Sequence, residues 1–182
     1  MPGSLSGQLL VATHDLTDQH FHRSVVLVLA HEPGAGAAGV VLNRPSGAEP
    51  PDRLDAWRPL AATPAVMFTG GPVSRDLLIG VAVAHTGRSP SGWQPVRGRL
   101  GVVDLHADAT LAKAELAGMR LFSGYAGWAA GQLEDEVAAG AWFVVAPRPG
   151  DVLTVAPDEL WRAVLARQGG VFTTVPLDPN LN

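Results

Sequence analysis

A chain of 182 residues with 47% hydrophobic and 16% charged residues is long enough to bury a sizeable core and too apolar to stay disordered. Its formal charge of −4 argues against a broadly basic face, so a reader of duplex DNA is disfavoured, although a local basic patch fits inside that total. The absence of cysteine removes disulfides, thiolate nucleophiles and cysteine zinc sites together, and no apolar run approaches the roughly 20 residues that span a bilayer.

The first residues carry no basic n-region, so a cytoplasmic protein that is neither exported nor membrane-anchored is expected. Residues 8–13 and 24–31 read as strands, the second rich enough in Val to be buried on both faces. Between them a polar loop or single helical turn, anchored by Phe21, delivers Arg23 to the start of the second strand. The stretch 33–39 has turn composition and contains Gly34-x-Gly36-x-x-Gly39, formally a dinucleotide fingerprint. That motif needs a helix opening at its end so that amides and helix dipole meet a pyrophosphate. Here Val40-Val41-Leu42 follow, then Asn43-Arg44-Pro45, and the stretch reads as a hairpin loop with no cofactor.

Leu54, Trp57 and Leu60 mark a short surface helix within residues 46–64, bounded by prolines. A strand over 66–69 runs into the constrained turn Gly70-Gly71-Pro72-Val73, another strand covers 77–84, and residues 88–95 around Trp93 read as an exposed loop. From Leu100 strands and helices alternate: strand 100–105, helix 108–117 with Asp108 as its N-cap, strand 119–123, helix 128–139 and strand 141–146. Gly118 and Gly140 stand where C-terminal caps belong. A last helix follows Pro157, with Leu160, Trp161, Val164 and Leu165 on one face and Gly169-Gly170 ending it; a short strand and Pro-rich coil make up the tail, 171–182. The expected fold is one α/β unit over residues 1–182, with room for a small subdomain within 46–98. Its mixed sheet is flanked by helices, antiparallel in the N-terminal half and βαβ-like in the C-terminal half.

The most specific stretch is 123–136, where Gly124, Gly127 and Gly131 interleave with Tyr125 and Trp128. Glycines so placed permit close approach of another backbone, with the aromatics lying over it: a crevice or a tight packing corner. Two histidines on one loop, His20 and His22, fall short of a metal site's three or four ligands, and no metal is expected. His31 reads as a strand-end histidine bonded to backbone, with a general base as the alternative. Ser123 lacks the Gly-x-Ser-x-Gly spacing of a nucleophile elbow. Glu134 and Glu136 point to different faces of a helix and make no local acid/base pair. What remains is a set at strand ends and glycine turns: Arg23, Asn43, Arg44, Gly70, Gly71, Tyr125, Trp128 and Glu134. Converging, they would form a crevice for a small anion or an acidic peptide; otherwise they hold the fold together.

Several blocks in order carry a resemblance. They are Phe21-x-Arg23-Ser24-Val25-Val26, His31, Gly39-Val40-Val41-Leu42-Asn43-Arg44-Pro45, Gly70-Gly71-Pro72-Val73, Gly124-Tyr125-Ala126-Gly127-Trp128, Gly131-Gln132-Leu133-Glu134-x-Glu136 and Asp151-Val152-Leu153. The chain resembles the YqgE/AlgH family of bacterial proteins, whose biochemical role is largely uncharacterised, from Gln8 to about Trp161. Gln19 stands where that family usually has Pro, and Ala30 where an acidic residue usually precedes the His. The second departure weakens an acid/His pair as a catalytic element. The resemblance implies a three-layer helix/sheet/helix architecture and carries a transcription-regulator label through association with alginate control. The expected function is therefore a non-enzymatic cytoplasmic regulator that binds a small molecule or protein partner. A direct DNA-binding regulator, and an enzyme using Arg23, His31 and Glu134, are the alternatives.

Overall fold

Nine strands form one curled sheet in the computed structural model, which describes residues 3–169. In chain order they are β1 (Leu9–Ala12), β2 (Val25–Glu32), β3 (Gly36–Val41), β4 (Phe68–Thr69), β5 (Val73–Ala84), β6 (Trp93–Arg97), β7 (Leu100–Val103), β8 (Leu116–Trp128) and β9 (Trp142–Val145). The helices are α1 (Ala109–Lys113), α2 (Gln132–Ala138), α3 (Pro149–Val152) and α4 (Leu160–Gln168), with a 3-10 helix over Asp52–Leu60. The expected short strand and Pro-rich coil of the tail, 171–182, lie outside the described residues.

The strand order is β6-β7-β5-β8-β3-β2-β1-β9, with β4 beside β8. Every strand pair is antiparallel except β4 with β8. The mixed α/β class is as the sequence leads one to expect, and the alternation after Leu100 is present, but its geometry is interleaved. Counting antiparallel steps, β7, β8 and β9 all run in one direction and are linked through α1 and α2. None pairs with another, because β5 lies between β7 and β8, and β3, β2 and β1 lie between β8 and β9. The N-terminal strands thus fill the gaps of a βαβ-like C-terminal half. At the curl, Gly7 sits against Arg97 of β6, where an added Cβ would come within 2.6 Å of the Arg97 Cβ.

Three expectations are corrected. Helix 108–117 shrinks to α1: Asp108 caps it, accepting the Thr110 amide at 2.8 Å, but Leu116 is already strand, so Gly118 pairs with Val83 rather than capping a helix. Helix 128–139 shrinks to α2, because Trp128 is the last residue of β8 and pairs with Ala37, and Gly131, with φ 76°, turns the chain before the helix. Residues 93–95 belong to edge strand β6 rather than to an exposed loop, and Trp93 lies half-buried on Gly101 of β7. Elsewhere period and composition succeed. Ala35 donates to Glu32 to close the β2–β3 hairpin, and α4 buries Leu160, Trp161, Val164 and Leu165.

One cluster of the core joins β1, β2, β3, β5 and β8 to α4, with Phe68 and Phe122 edge-to-face at 6.1 Å. Into it reaches Arg120 of β8, only 1% exposed. Its guanidinium donates to the Thr154 carbonyl at 2.8 Å and the Thr63 carbonyl at 2.9 Å, and lies 4.2 Å from the Phe68 ring centroid. Among the described residues no carboxylate pairs with it. Burial lowers its pKa to about 10, so it stays charged at neutral pH, held by carbonyl dipoles and an aromatic face. Arg120→Ala leaves a cavity and two carbonyls without their donors, and should cost about 3 kcal/mol or more in urea unfolding. Arg120→Met, which refills the volume, should cost less.

Candidate functional site

The β2 and β3 strands end side by side, and their ends make a cleft of about 580 Å³ with the loop before β2 and with α4. Arg23, Asn43 and Arg44 meet there, beside Trp161 and Arg162. Asn43 is spent on structure: its Oδ1 accepts the Val25 amide at 3.0 Å and its Nδ2 donates to the Arg23 carbonyl at 2.9 Å, tying the two strand ends. Arg44 donates to the carbonyls of Gln19 at 3.1 Å and His22 at 2.7 Å, which fixes the loop between β1 and β2. Burial pulls the Arg44 pKa down and nearby Asp18 pulls it up, but a guanidinium this basic keeps its charge.

Arg23 differs from both. Its backbone is left-handed, with φ 52°, a conformation that costs a non-glycine residue on the order of 1 kcal/mol or more. Its guanidinium lies 5.4 Å from the Trp161 ring centroid. Among the described residues it makes no side-chain hydrogen bond or ion pair, so its fork of donors faces the cleft uncommitted. Acidic residues stand at the lip, where Glu159 lies 3.7 Å from Arg162.

The other sequence candidates lie elsewhere. Gly70 and Gly71 press against β8 so closely that an added Cβ would come within 2.3 Å of the Gly124 oxygen and 2.2 Å of the Tyr125 carbonyl carbon. Gly71 also borders a small recess of about 50 Å³ that Arg44 shares. Tyr125 is half-buried against the core. Trp128 is 6% exposed and packs with Phe21 and Trp142 at centroid distances of 6.2 Å each. Its indole N–H donates to Glu136 Oε2 at 2.9 Å, and Trp142 donates to the same oxygen at 2.8 Å. Glu136 is therefore the carboxylate that seats both tryptophans. From the sequence Glu136 is expected only to complement the helix dipole and meet solvent, and the pairing of Trp128 with an acid eight residues on is a signal visible once a strand-to-helix turn is placed between them.

Glu134 meets His31 at the far end of β2. His31 Nδ1 accepts the Leu5 amide at 2.8 Å, so the ring proton sits on Nε2, which donates to Glu134 Oε1 at 2.9 Å. The His31 backbone is bound as well, its amide to Ser6 Oγ at 2.8 Å and its carbonyl to Ser4 Oγ at 2.7 Å. With both ring nitrogens engaged and the side chain 1% exposed, this histidine straps residues 4–6 onto β2 and α2. The His31 hydrogen bond is the main reason the Glu134 carboxyl titrates below the ordinary value of 4.5; the amide of Glu134 itself adds to it, burial opposes it, and the Gly34 amide adds a further contribution. No group of three or more His, Asp or Glu residues is placed to hold a metal ion, and no helix is long and apolar enough to cross a membrane, among the described residues.

Two outcomes follow. Glu136→Ala should lower stability by about 2–4 kcal/mol in urea unfolding, because two buried indole donors lose their acceptor. Because the folded pKa of Glu134 is depressed, the contribution of its charge is complete above pH 4.5 and is lost as pH falls through the folded value. The difference in melting temperature between wild type and Glu134→Gln should accordingly shrink as the pH is lowered below 4.5.

The chain matches the family described as AlgH-like over residues 9–173. It is 50% identical over 186 residues to a UPF0301 protein of Streptomyces coelicolor, an alignment covering 98% of this chain and 96% of that one. A UPF0301 protein of Mycobacterium tuberculosis is 42% identical over 183 residues, covering 97% and 90%. Among solved structures, a Corynebacterium diphtheriae protein superposes with TM-score 0.89 at 31% identity, covering 96% of this chain and 92% of that one. The AlgH protein of Pseudomonas aeruginosa, also a UPF0301 protein, superposes with TM-score 0.70 at 29% identity, covering 98% and 96%. The match over most of the chain and the high identity of full-length relatives place this protein in the AlgH-like, UPF0301 family.

Proposed function

We propose that this is a non-enzymatic cytoplasmic binding protein with a regulatory role, whose Arg23–Arg44 cleft takes an anionic group presented by a small molecule or a protein partner. The observation that carries this reading is Arg23 itself. Its backbone is held in a costly left-handed conformation, its guanidinium rests on Trp161, and no carboxylate among the described residues neutralises it. Strain of this kind persists where surrounding structure imposes it, here through the Asn43 and Arg44 bonds to the Arg23 and His22 carbonyls. A guanidinium fixed in this way loses little freedom on meeting a carboxylate or phosphate. The acid/base alternative is disfavoured by His31, whose two ring nitrogens are both engaged and which lies at the far end of β2 from Arg23.

The test is thermal unfolding with inorganic phosphate, pyrophosphate and dicarboxylates. An anion at about 100 times its dissociation constant should stabilise the wild type by about 2.7 kcal/mol. Arg23→Gly removes the guanidinium at a position whose φ of 52° glycine adopts freely, so it should fold and should lose the anion response. Equal responses from wild type and Arg23→Gly, or no response from the wild type, would remove the cleft as an anion site.

A further inference from the structure

The Arg23 cleft is one end of a longer feature. Arg44 lines both that cleft and the recess of about 50 Å³ beside Gly71. Arg75 and Thr69 line that recess and also a third one, of about 360 Å³, walled by Ala48, Met67 and Leu78. Three hollows are thus joined in succession by shared side chains, the first rich in arginine and the third mainly apolar.

The far end is built by an irregularity in β5. Val73 pairs with Tyr125 and Leu78 with Ser123, so residues 74–77 bulge from the ladder. Ser123 Oγ donates to the Arg75 carbonyl and pins the bulge. Ser74, with φ 45°, and Arg23 are the two non-glycine residues of left-handed backbone among those described, and they flank opposite ends of the line. Like Arg23, the Arg75 side chain makes no hydrogen bond or ion pair among the described residues.

The charge is local and selective. The lining includes Arg23, Arg44, Arg75 and Arg162 against the carboxylates Asp158 and Glu159, an excess of two positive charges (four minus two) in a chain of net −4. His20 and His22 also border the line and are left out of that formal charge. Among the described residues Trp161 is the one Trp, Tyr or Phe of the lining, and Arg23 already lies over that ring, so the line offers nucleic-acid bases little surface on which to stack. An open line of guanidinium groups leading to an apolar hollow is complementary to an extended acidic segment with an apolar side chain beyond its charges.

We infer that this line is a docking track for an acidic peptide segment of a protein partner, with carboxylates at Arg23, Arg44 and Arg75 and an apolar anchor against Ala48, Met67 and Leu78. The inference rests on the anion-binding reading of the Arg23 cleft and names its partner class.

The probe is a fluorescein-labelled peptide, Asp-Asp-Glu followed by Gly and Leu-Phe, read by anisotropy with full-length protein. Binding should weaken with salt, and replacing the acids by Asn and Gln should abolish it. Arg75→Ala and Ala48→Glu change exposed residues outside the core. Each should weaken the peptide by about tenfold while leaving the phosphate response at Arg23 intact. Peptide affinity unchanged in both variants would overturn the track while the Arg23 cleft stands on its own phosphate response. Tighter binding of labelled oligothymidine than of the peptide would also overturn it, in favour of single-stranded nucleic acid.

Discussion

The backbone of Gly70–Gly71 lies directly on that of β8, and much of the molecule depends on this contact. The Gly70 amide donates to the Ser123 carbonyl at 2.9 Å, and the Gly70 carbonyl accepts the Val41 amide at 2.8 Å, so one residue links β3, β4 and β8. A methyl group at Gly70 or Gly71 would overlap β8 atoms by more than an ångström of ordinary contact, which no side-chain adjustment relieves, because the opposing atoms are main chain. With the turn seated, β4 can lie parallel to β8 while β5 returns antiparallel along its other edge. The bulge that carries Arg75 begins at the next bend of the chain.

Polar side chains then lock elements that the sheet alone leaves loosely related. Glu136 holds Trp128 at the end of β8 and Trp142 at the start of β9. His31 joins the N-terminal strap to α2, and Arg120 joins two loops beneath the sheet. Asp151 closes α3 by accepting the Arg148 amide and forms a two-bond pair with Arg167 of α4, at 2.5 and 2.7 Å. Each is a buried or half-buried group whose partner lies on a different element, so loss of one partner strands the other. The Arg23 and Arg75 guanidinium groups make no such bond among the described residues, whereas Arg44, Arg58 and Arg99 are each tied to neighbouring carbonyls or carboxylates.

This division sorts the residues that draw attention in the sequence. Trp128, Glu134, Asn43 and the glycine pair have visible structural occupations, whereas Arg23 combines a strained backbone with a guanidinium that lies over Trp161 and makes no hydrogen bond or ion pair among the described residues. Motif residues and the residues that line the cleft are therefore different sets that overlap at the ends of β2 and β3. The Arg23 cleft and the hollow beside Ala48 put cationic and apolar surface close together within a chain of net charge −4.

Local chemistry made most of the strands, the β2–β3 hairpin, the caps at Asp108 and Gly140 and the buried face of α4 legible, because each depends on residues a few positions apart; edge strand β6, with Pro95 inside it, reads as a loop. The family was legible for the same reason, its motifs being contiguous. The interleaving of β5 between β7 and β8 was not, nor the extension of β8 through Trp128, the clamp at Glu136 or the joining of Arg23, Arg44 and Arg75 in one line. Those depend on pairings between residues tens of positions apart, where many registers satisfy the same local pattern. Only burial of the shared core, with the backbone contact at Gly70–Gly71, selects one of them.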